Sequence, residues 1–381
     1  MKKWIAALLS ASCFLLLPGT AFAAETKAPG TTAKAYILIE AGTGRTLAAQ
    51  NEREKLPIAS TTKILTALLA LEQPELDQKF QVDSLAIRTE GSTMGLREGD
   101  FASLRDLAAG MLLPSGNDAA NAAAVRIDGS IEEFAQRMNR KAEEIGMADS
   151  HFVTPSGLPH DEHYSTAADM ALLARLALQN QDFAAICGKS SIRLEFGNPP
   201  YSRSLKNHNR LVSSYEGCIG MKTGFTKKAG RCLVSAAKRN GVTLICVTLN
   251  DPNDWKDHAS LLDWGFSQVS LRELSPDTEG LRLPIAGSLT ESLPVRPLGR
   301  TFAAVTPEQE PELEQEVYLP RFVYAPVQPG DLAGEIRWKY QGSVVAVTLL
   351  TAEGSAPVQE KAPKKGFWQK WKDFWGKYLR I

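Results

Sequence analysis

Along this chain the hydrophobic period changes twice, and the order of those periods restricts the fold more than any composition figure does. Residues 33–45 (AKAYILIEAGTGR) alternate into a glycine turn, with residues 46–50 as the partner strand. From Pro57 onward the period is helical, with Ile64, Leu65, Leu68, Leu69 and Leu71 on one face. Helices are expected again over residues 104–113, 118–127, 131–145 and 166–178, the last opened by hydroxyls placed to cap it. After Lys222 the pattern returns to strands. Residues 231–238 and 242–250 flank Asn240-Gly241, a dipeptide suited to a tight hairpin turn, and residues 255–266 read as a closing helix. Strands, then helices, then strands predict an α+β domain, with an antiparallel sheet covered by helices.

The two ends differ from this middle. Lys2 and Lys3, an apolar run over residues 5–17, the break at Pro18-Gly19 and the small residues of Ala21-Phe22-Ala23 read as a signal peptide over residues 1–23. Beyond residue 271 short apolar stretches (281–285, 301–305, 316–323, 335–340 and 343–350) alternate with Pro and Gly, and predict a small all-β domain over residues 272–355. A Pro- and Lys-containing linker over 356–365 leads to residues 366–381. There Phe367, Trp368, Trp371, Phe374, Trp375, Tyr378 and Leu379 recur at helical spacing among lysines. An aromatic face flanked by lysines suits a bilayer interface with anionic lipid. Roughly 15 helical residues reach about 22 Å, too short to span a core of about 30 Å. The expectation is an amphipathic anchor on a membrane surface.

The formal net charge is zero, which gives no reason to expect nucleic acid as a partner. Outside the leader the cysteines are Cys187, Cys218, Cys232 and Cys246. Cys232 and Cys246 sit in apolar strand-like runs, so buried free thiols are expected rather than disulfides.

Three short motifs carry the chemistry: Ser60-Thr61-Thr62-Lys63, Ser115-Gly116-Asn117 and Lys222-Thr223-Gly224. Ser60 stands at a helix N-terminus, where the dipole favours a developing alkoxide, and Lys63 follows one turn on, on the same face. A serine needs a base to become a nucleophile. An amine serves only if its pKa falls from about 10.4 towards neutrality, which burial and a second cation such as Lys222 bring about. Taken singly, each motif has an ordinary structural reading: an N-cap serine, an interhelical turn, a lysine-guarded strand. Their conjunction in this order points to a site.

With these motifs the chain resembles the low-molecular-weight penicillin-binding proteins that act as D-alanyl-D-alanine carboxypeptidases. The S-x-x-K and K-T-G motifs are shared with serine β-lactamases, and the central S-G-N distinguishes the carboxypeptidases. Pro155-Ser156-Gly157-Leu158, His163-Tyr164-Ser165-Thr166-Ala167, Gly220-Met221-Lys222-Thr223-Gly224-Phe225-Thr226 and Trp264-Gly265-Phe266 extend the likeness. The resemblance implies a β-lactamase/transpeptidase-like domain over residues 30–268, acting on peptidoglycan stem peptides that end in D-Ala-D-Ala and acylated by β-lactam antibiotics. It implies Ser60 as nucleophile, Lys63 as base, Ser115 as proton relay, and Asn117, Lys222 and Thr223 as substrate ligands. The backbone beside Gly224, through the N–H groups of Ser60 and Phe225, would form the oxyanion hole. No cofactor is expected.

Other chemistries fit less well. His151, His160, His163, His208 and His258 lack a G-x-S-x-G partner for a Ser-His-Asp triad. His160-Asp161-Glu162-His163 lacks the spacing of H-E-x-x-H and reads as a solvated loop, so no metal is expected. A class A β-lactamase would need an E-x-x-L-N carboxylate that is not found between the second and third motifs. A non-catalytic penicillin or peptidoglycan sensor would be expected to have lost part of this set.

Overall fold

The computed structural model describes residues 27–306 and 310–359, with Trp368, Lys370 and Lys372 beyond them. The signal peptide, and all of the C-terminal aromatic segment but those three residues, lie outside the described residues.

A five-stranded antiparallel sheet forms the frame, in the spatial order Thr46–Gln50, Ala35–Glu40, Val242–Leu249, Gly230–Arg239, Cys218–Thr226. Asn240 and Gly241 both have positive φ (48° and 82°), the geometry of a tight hairpin turn, which fixes the register of the two strands they join. Alternate residues of the central strands enter different cores. Ala35, Ile37 and Ile39 face the helical block together with Ile245 and Val247. Tyr36 and Leu38 face the closing helix Asp254–Gln268 with Leu244, Cys246, Leu261 and Leu262. Both faces are therefore covered, and all six residues of Ala35–Glu40 are buried.

The helical block contains Lys63–Leu71, Leu104–Leu112, Asn117–Asp128, Ile131–Glu144 and Ala167–Ala177. The last four lie within one residue of their expected bounds, but the first begins at Lys63 rather than at Pro57, because Ala59–Thr62 form a 3-10 turn. Ser103, Ser130 and Thr166 cap the second, fourth and fifth by accepting the N3 backbone N–H. The helix Lys63–Leu71 is buried on all sides, so it forms the centre of the domain.

Three differences from the sequence reading matter. Residues 316–323 do not make one strand; Pro320 separates Glu314–Tyr318 from Val323–Tyr324. Ser292–Pro297 is a strand despite Pro294 and Pro297. The hairpin Ser191–Gly197 and Pro200–Lys206 was not expected, although Ile192, Leu194 and Phe196 alternate with polar residues along its first strand. The C-terminal region is all β, as expected. Its main sheet runs Glu314–Tyr318, Leu332–Tyr340, Ser343–Ala352, Ser292–Pro297, Arg282–Ala286, Val323–Tyr324 over a core that includes Leu283, Val295, Ile336, Trp338 and Leu350. The four cysteines among the described residues are free; Cys187, Cys232 and Cys246 are buried and Cys218 is half-buried. No described helix is long and apolar enough to cross a membrane.

Candidate active site

Ser60 lies in a 3-10 turn, Ala59–Thr62, that runs directly into the central helix Lys63–Leu71. In a 3-10 turn residues i and i+3 eclipse, so Lys63 is brought onto Ser60. Lys63 Nζ lies 2.9 Å from Ser60 Oγ. Ala59, just before Ser60, has φ of +47°, a conformation that costs a non-glycine residue about 1–2 kcal/mol. The turn is held against that strain. Thr62 Oγ1 donates to Ala59 O at 2.8 Å, and His163 Nε2 lies 2.8 Å from Thr62 Oγ1. Since His163 Nδ1 accepts the Val153 N–H at 3.0 Å, its proton is on Nε2 and donates to Thr62. His163 is thus buried and structural, not part of a solvated loop, and burial lowers its pKa to about 4. No cluster of metal-binding groups occurs among the described residues.

Lys63 is completely buried. Its remaining contacts are Asn117 Oδ1 at 2.7 Å and the carbonyl of Ser156 at 2.6 Å. Both oxygens can only accept. A neutral amine has two N–H bonds and one lone pair, so with its two donors on these acceptors the lone pair would be left for the Ser60 hydroxyl. Burial, first, and the nearby Lys222, second, hold the Lys63 amine well below its usual pKa, with Asp118 opposing them. Lys222 is also buried, and burial lowers it to about 7. Its Nζ donates to Thr223 O at 2.7 Å.

Ser115 occupies a left-handed turn (φ +64°) between two helices. A Cβ on Gly116 would fall 2.8 Å from the Met94 backbone nitrogen and 2.7 Å from Asp118 Oδ1, so only glycine fits that turn. The third motif lies in the middle of the edge strand Cys218–Thr226, four residues past its start. Gly224 is where this strand meets the Ala59–Thr62 turn: a Cβ there would lie 2.9 Å from Ile58 O and 3.1 Å from the backbone nitrogens of Ser60 and Thr61. The next residue, Phe225, is largely exposed.

Between these parts lies an open cleft of about 630 Å³, lined by Ser60, Ser92, Ser115 and Thr223–Phe225 among others. The three motifs therefore converge. The sequence reading missed the cleft's cationic end, formed by Lys206, His208, Arg210 and Arg231 with Asp254 and Trp255. Arg231 donates to Asp254 at 2.7 Å and lies over the Trp255 ring. Its Nε is buried with no hydrogen-bond partner among the described residues. These residues have no motif of their own. Arg231 faces Phe225 across the strand pair, and only that register could have pointed to it.

A helix-covered sheet with this serine–lysine cleft defines the penicillin-binding class of serine peptidases. Within that class, the chain belongs to the D-alanyl-D-alanine carboxypeptidase family, whose profile matches residues 22–253. It is 31% identical to the D-alanyl-D-alanine carboxypeptidase DacF of Bacillus subtilis over 386 residues, covering 96% of each chain. It is 36% identical to the carboxypeptidase DacC of Escherichia coli, covering 68% of this chain and 67% of that one. Among solved structures, penicillin binding protein 5 of Haemophilus influenzae superposes with a TM-score of 0.65 at 25% identity, covering 87% of this chain and 99% of that one. The Streptomyces K15 DD-transpeptidase gives 0.60 at 30% identity, covering 63% and 99%.

Proposed function

We propose that Ser60 is the acylated nucleophile of a D-Ala-D-Ala carboxypeptidase that trims peptidoglycan stem peptides and is inhibited covalently by β-lactams. The observation that carries the reading is the Lys63 amine, buried, tied to two acceptor-only oxygens and 2.9 Å from Ser60 Oγ. Lys63 takes the hydroxyl proton as Ser60 Oγ bonds to the carbonyl carbon between the two D-alanines. The carbonyl π electrons move onto oxygen and are stabilised by the N–H groups of Ser60 and Phe225, each donor being worth a few kcal/mol. The C–N bond then breaks, and Ser115 passes a proton to the departing amine. D-alanine leaves, and water hydrolyses the ester. Asn117 holds the substrate amide. Lys222 and Thr223, with the cationic end of the cleft around Arg210 and Arg231, hold the terminal carboxylate, since a charge-assisted pair there favours a free C-terminus.

The proposed organisation is a signal peptide over 1–23, a catalytic domain over 30–268, an all-β domain over 272–355, a linker over 356–365 and an amphipathic foot over 366–381. The enzyme would be exported and rest on the outer face of the cytoplasmic membrane. The deciding experiment incubates purified protein with a diacyl-Lys-D-Ala-D-Ala peptide, with and without penicillin, and maps any adduct by mass. Release of D-alanine that penicillin abolishes, with the adduct on the Ser60 peptide, is expected. Penicillin binding without turnover, or an adduct elsewhere, would overturn the reading.

A further inference from the structure

Next in the chain to Asn117, which contacts Lys63, stands a buried carboxylate that no motif-based role uses. Asp118 follows Asn117 directly and is 1% exposed. Its Oδ1 accepts the backbone N–H groups of Met94 and Ala119, both at 2.9 Å. Its Oδ2 accepts those of Gly95 and Leu96, both at 3.0 Å, and the hydroxyl of Thr93. Every one of these donors is neutral. The carboxylate is therefore stabilised without being paired to a cation, and its full negative charge continues to act on its surroundings.

The same contacts fasten a loop to the site. Asn117 N donates to Ser92 O at 2.7 Å and Asn117 Nδ2 to Glu90 O at 2.7 Å. Ser92 lines the cleft, and Asn117 Oδ1 is an acceptor for Lys63. Gly116 leaves no room between Asp118 and Met94. Residues 90–96 and the turn at 115–118 thus form one unit, with Asp118 at its centre.

We propose that Asp118 is a positioning residue for acylation: it clamps residues 93–96 against the Ser115–Asn117 turn and keeps a negative charge near Lys63. The clamp fixes the orientation of Asn117, and through it the lysine that faces Ser60. The charge has a separate effect. The charged groups acting on Lys63 are Lys222, which disfavours its ammonium form, and Asp118, which favours it; His163, behind Thr62, is neutral. Without an anion, burial and Lys222 would make the amine a weak base, and a base too weak for its task loses rate. A direct ion pair would hold the proton too firmly. An anion satisfied by neutral donors avoids both extremes.

The inference rests on Lys63 being the base, and the test separates the two. The second-order rate constant for acylation by a chromogenic β-lactam is measured against pH for wild type, Asp118→Asn, Asp118→Glu, Thr93→Val and Lys63→Ala. Asp118→Asn is expected to lower the plateau about tenfold and to move the acid limb down by about one pH unit, the size of a unit charge acting across a partly dry site. Asp118→Glu should return the limb towards wild type, and Thr93→Val should lower the plateau without moving the limb. A folded Asp118→Asn protein with an unmoved limb overturns the charge role. Should that variant not fold, a folded Thr93→Val protein with a wild-type plateau overturns the clamp. In either case Lys63→Ala still loses acylation if the base assignment holds; if Lys63→Ala keeps it, that assignment itself is wrong.

Discussion

Replacing Gly224 with alanine tests whether the contact between the edge strand and the nucleophile turn sets the rate. The new Cβ would stand 2.9 Å from Ile58 O and 3.1 Å from the nitrogens of Ser60 and Thr61, where ordinary contact begins at 3.4 Å. All three are backbone atoms, so no side chain can turn aside. Gly224 is not among the residues with positive φ, so alanine introduces crowding and no backbone strain. Strand and turn must separate by about 0.5 Å, an overpacking that costs about 1–3 kcal/mol. The strand is held on its other side by the Gly224–Cys232 register, so the displacement falls on the turn that carries the Ser60 N–H. One oxyanion donor is worth about 2.7–4 kcal/mol, and a misplacement of about 1 Å costs about a hundredfold. Acylation by a fluorescent penicillin should therefore slow by about ten- to a hundredfold, with a modest drop in the urea midpoint. A folded Gly224→Ala enzyme acylating within about twofold of wild type would refute the reasoning.

Three further outcomes follow from the same geometry. Lys63→Arg should abolish acylation as thoroughly as Lys63→Ala, because a guanidinium does not deprotonate at working pH; wild-type rates in the arginine variant would remove Lys63 as base. Burial holds His258 at about 3, between Ser235 Oγ and Thr248 Oγ1. The unfolded chain binds its proton near pH 6.5 and the fold does not, so the stability contributed by the neutral ring is complete above about 6.5 and is lost on descent towards 3. Between pH 7 and 5 His258 alone should cost about 2 kcal/mol; urea midpoints that stay flat in wild type, or fall as steeply in His258→Gln, count against this. Deleting residues 366–381 should release the protein from liposomes containing anionic lipid while peptide hydrolysis stays unchanged, and equal sedimentation of both forms would make the tail a docking helix.

The sequence by itself determined most of the frame. Period and capping residues placed capped helices such as Ala167–Ala177 to within one residue, because these depend on local spacing, whereas the start of the central helix at Lys63 rather than Pro57 was not legible. Asn240-Gly241 fixed the central hairpin, since few other dipeptides accept two positive φ values. The three motifs were legible because each is contiguous. The relations between distant segments emerge only on folding. Lys63 is desolvated beside Ser60 because Asn117 and Ser156 arrive from other parts of the chain to meet its amine. His163 was misread as solvated because its partner, Thr62, is 101 residues away. The proline-bearing strand Ser292–Pro297 was missed because its pairing with Ser343–Ala352 outweighs its local propensity. Arg231 belongs to the cleft through a cross-strand register with Phe225 that only folding creates. Local periodicity is written in neighbouring residues, whereas desolvation and charge proximity depend on which segments the packed core brings together.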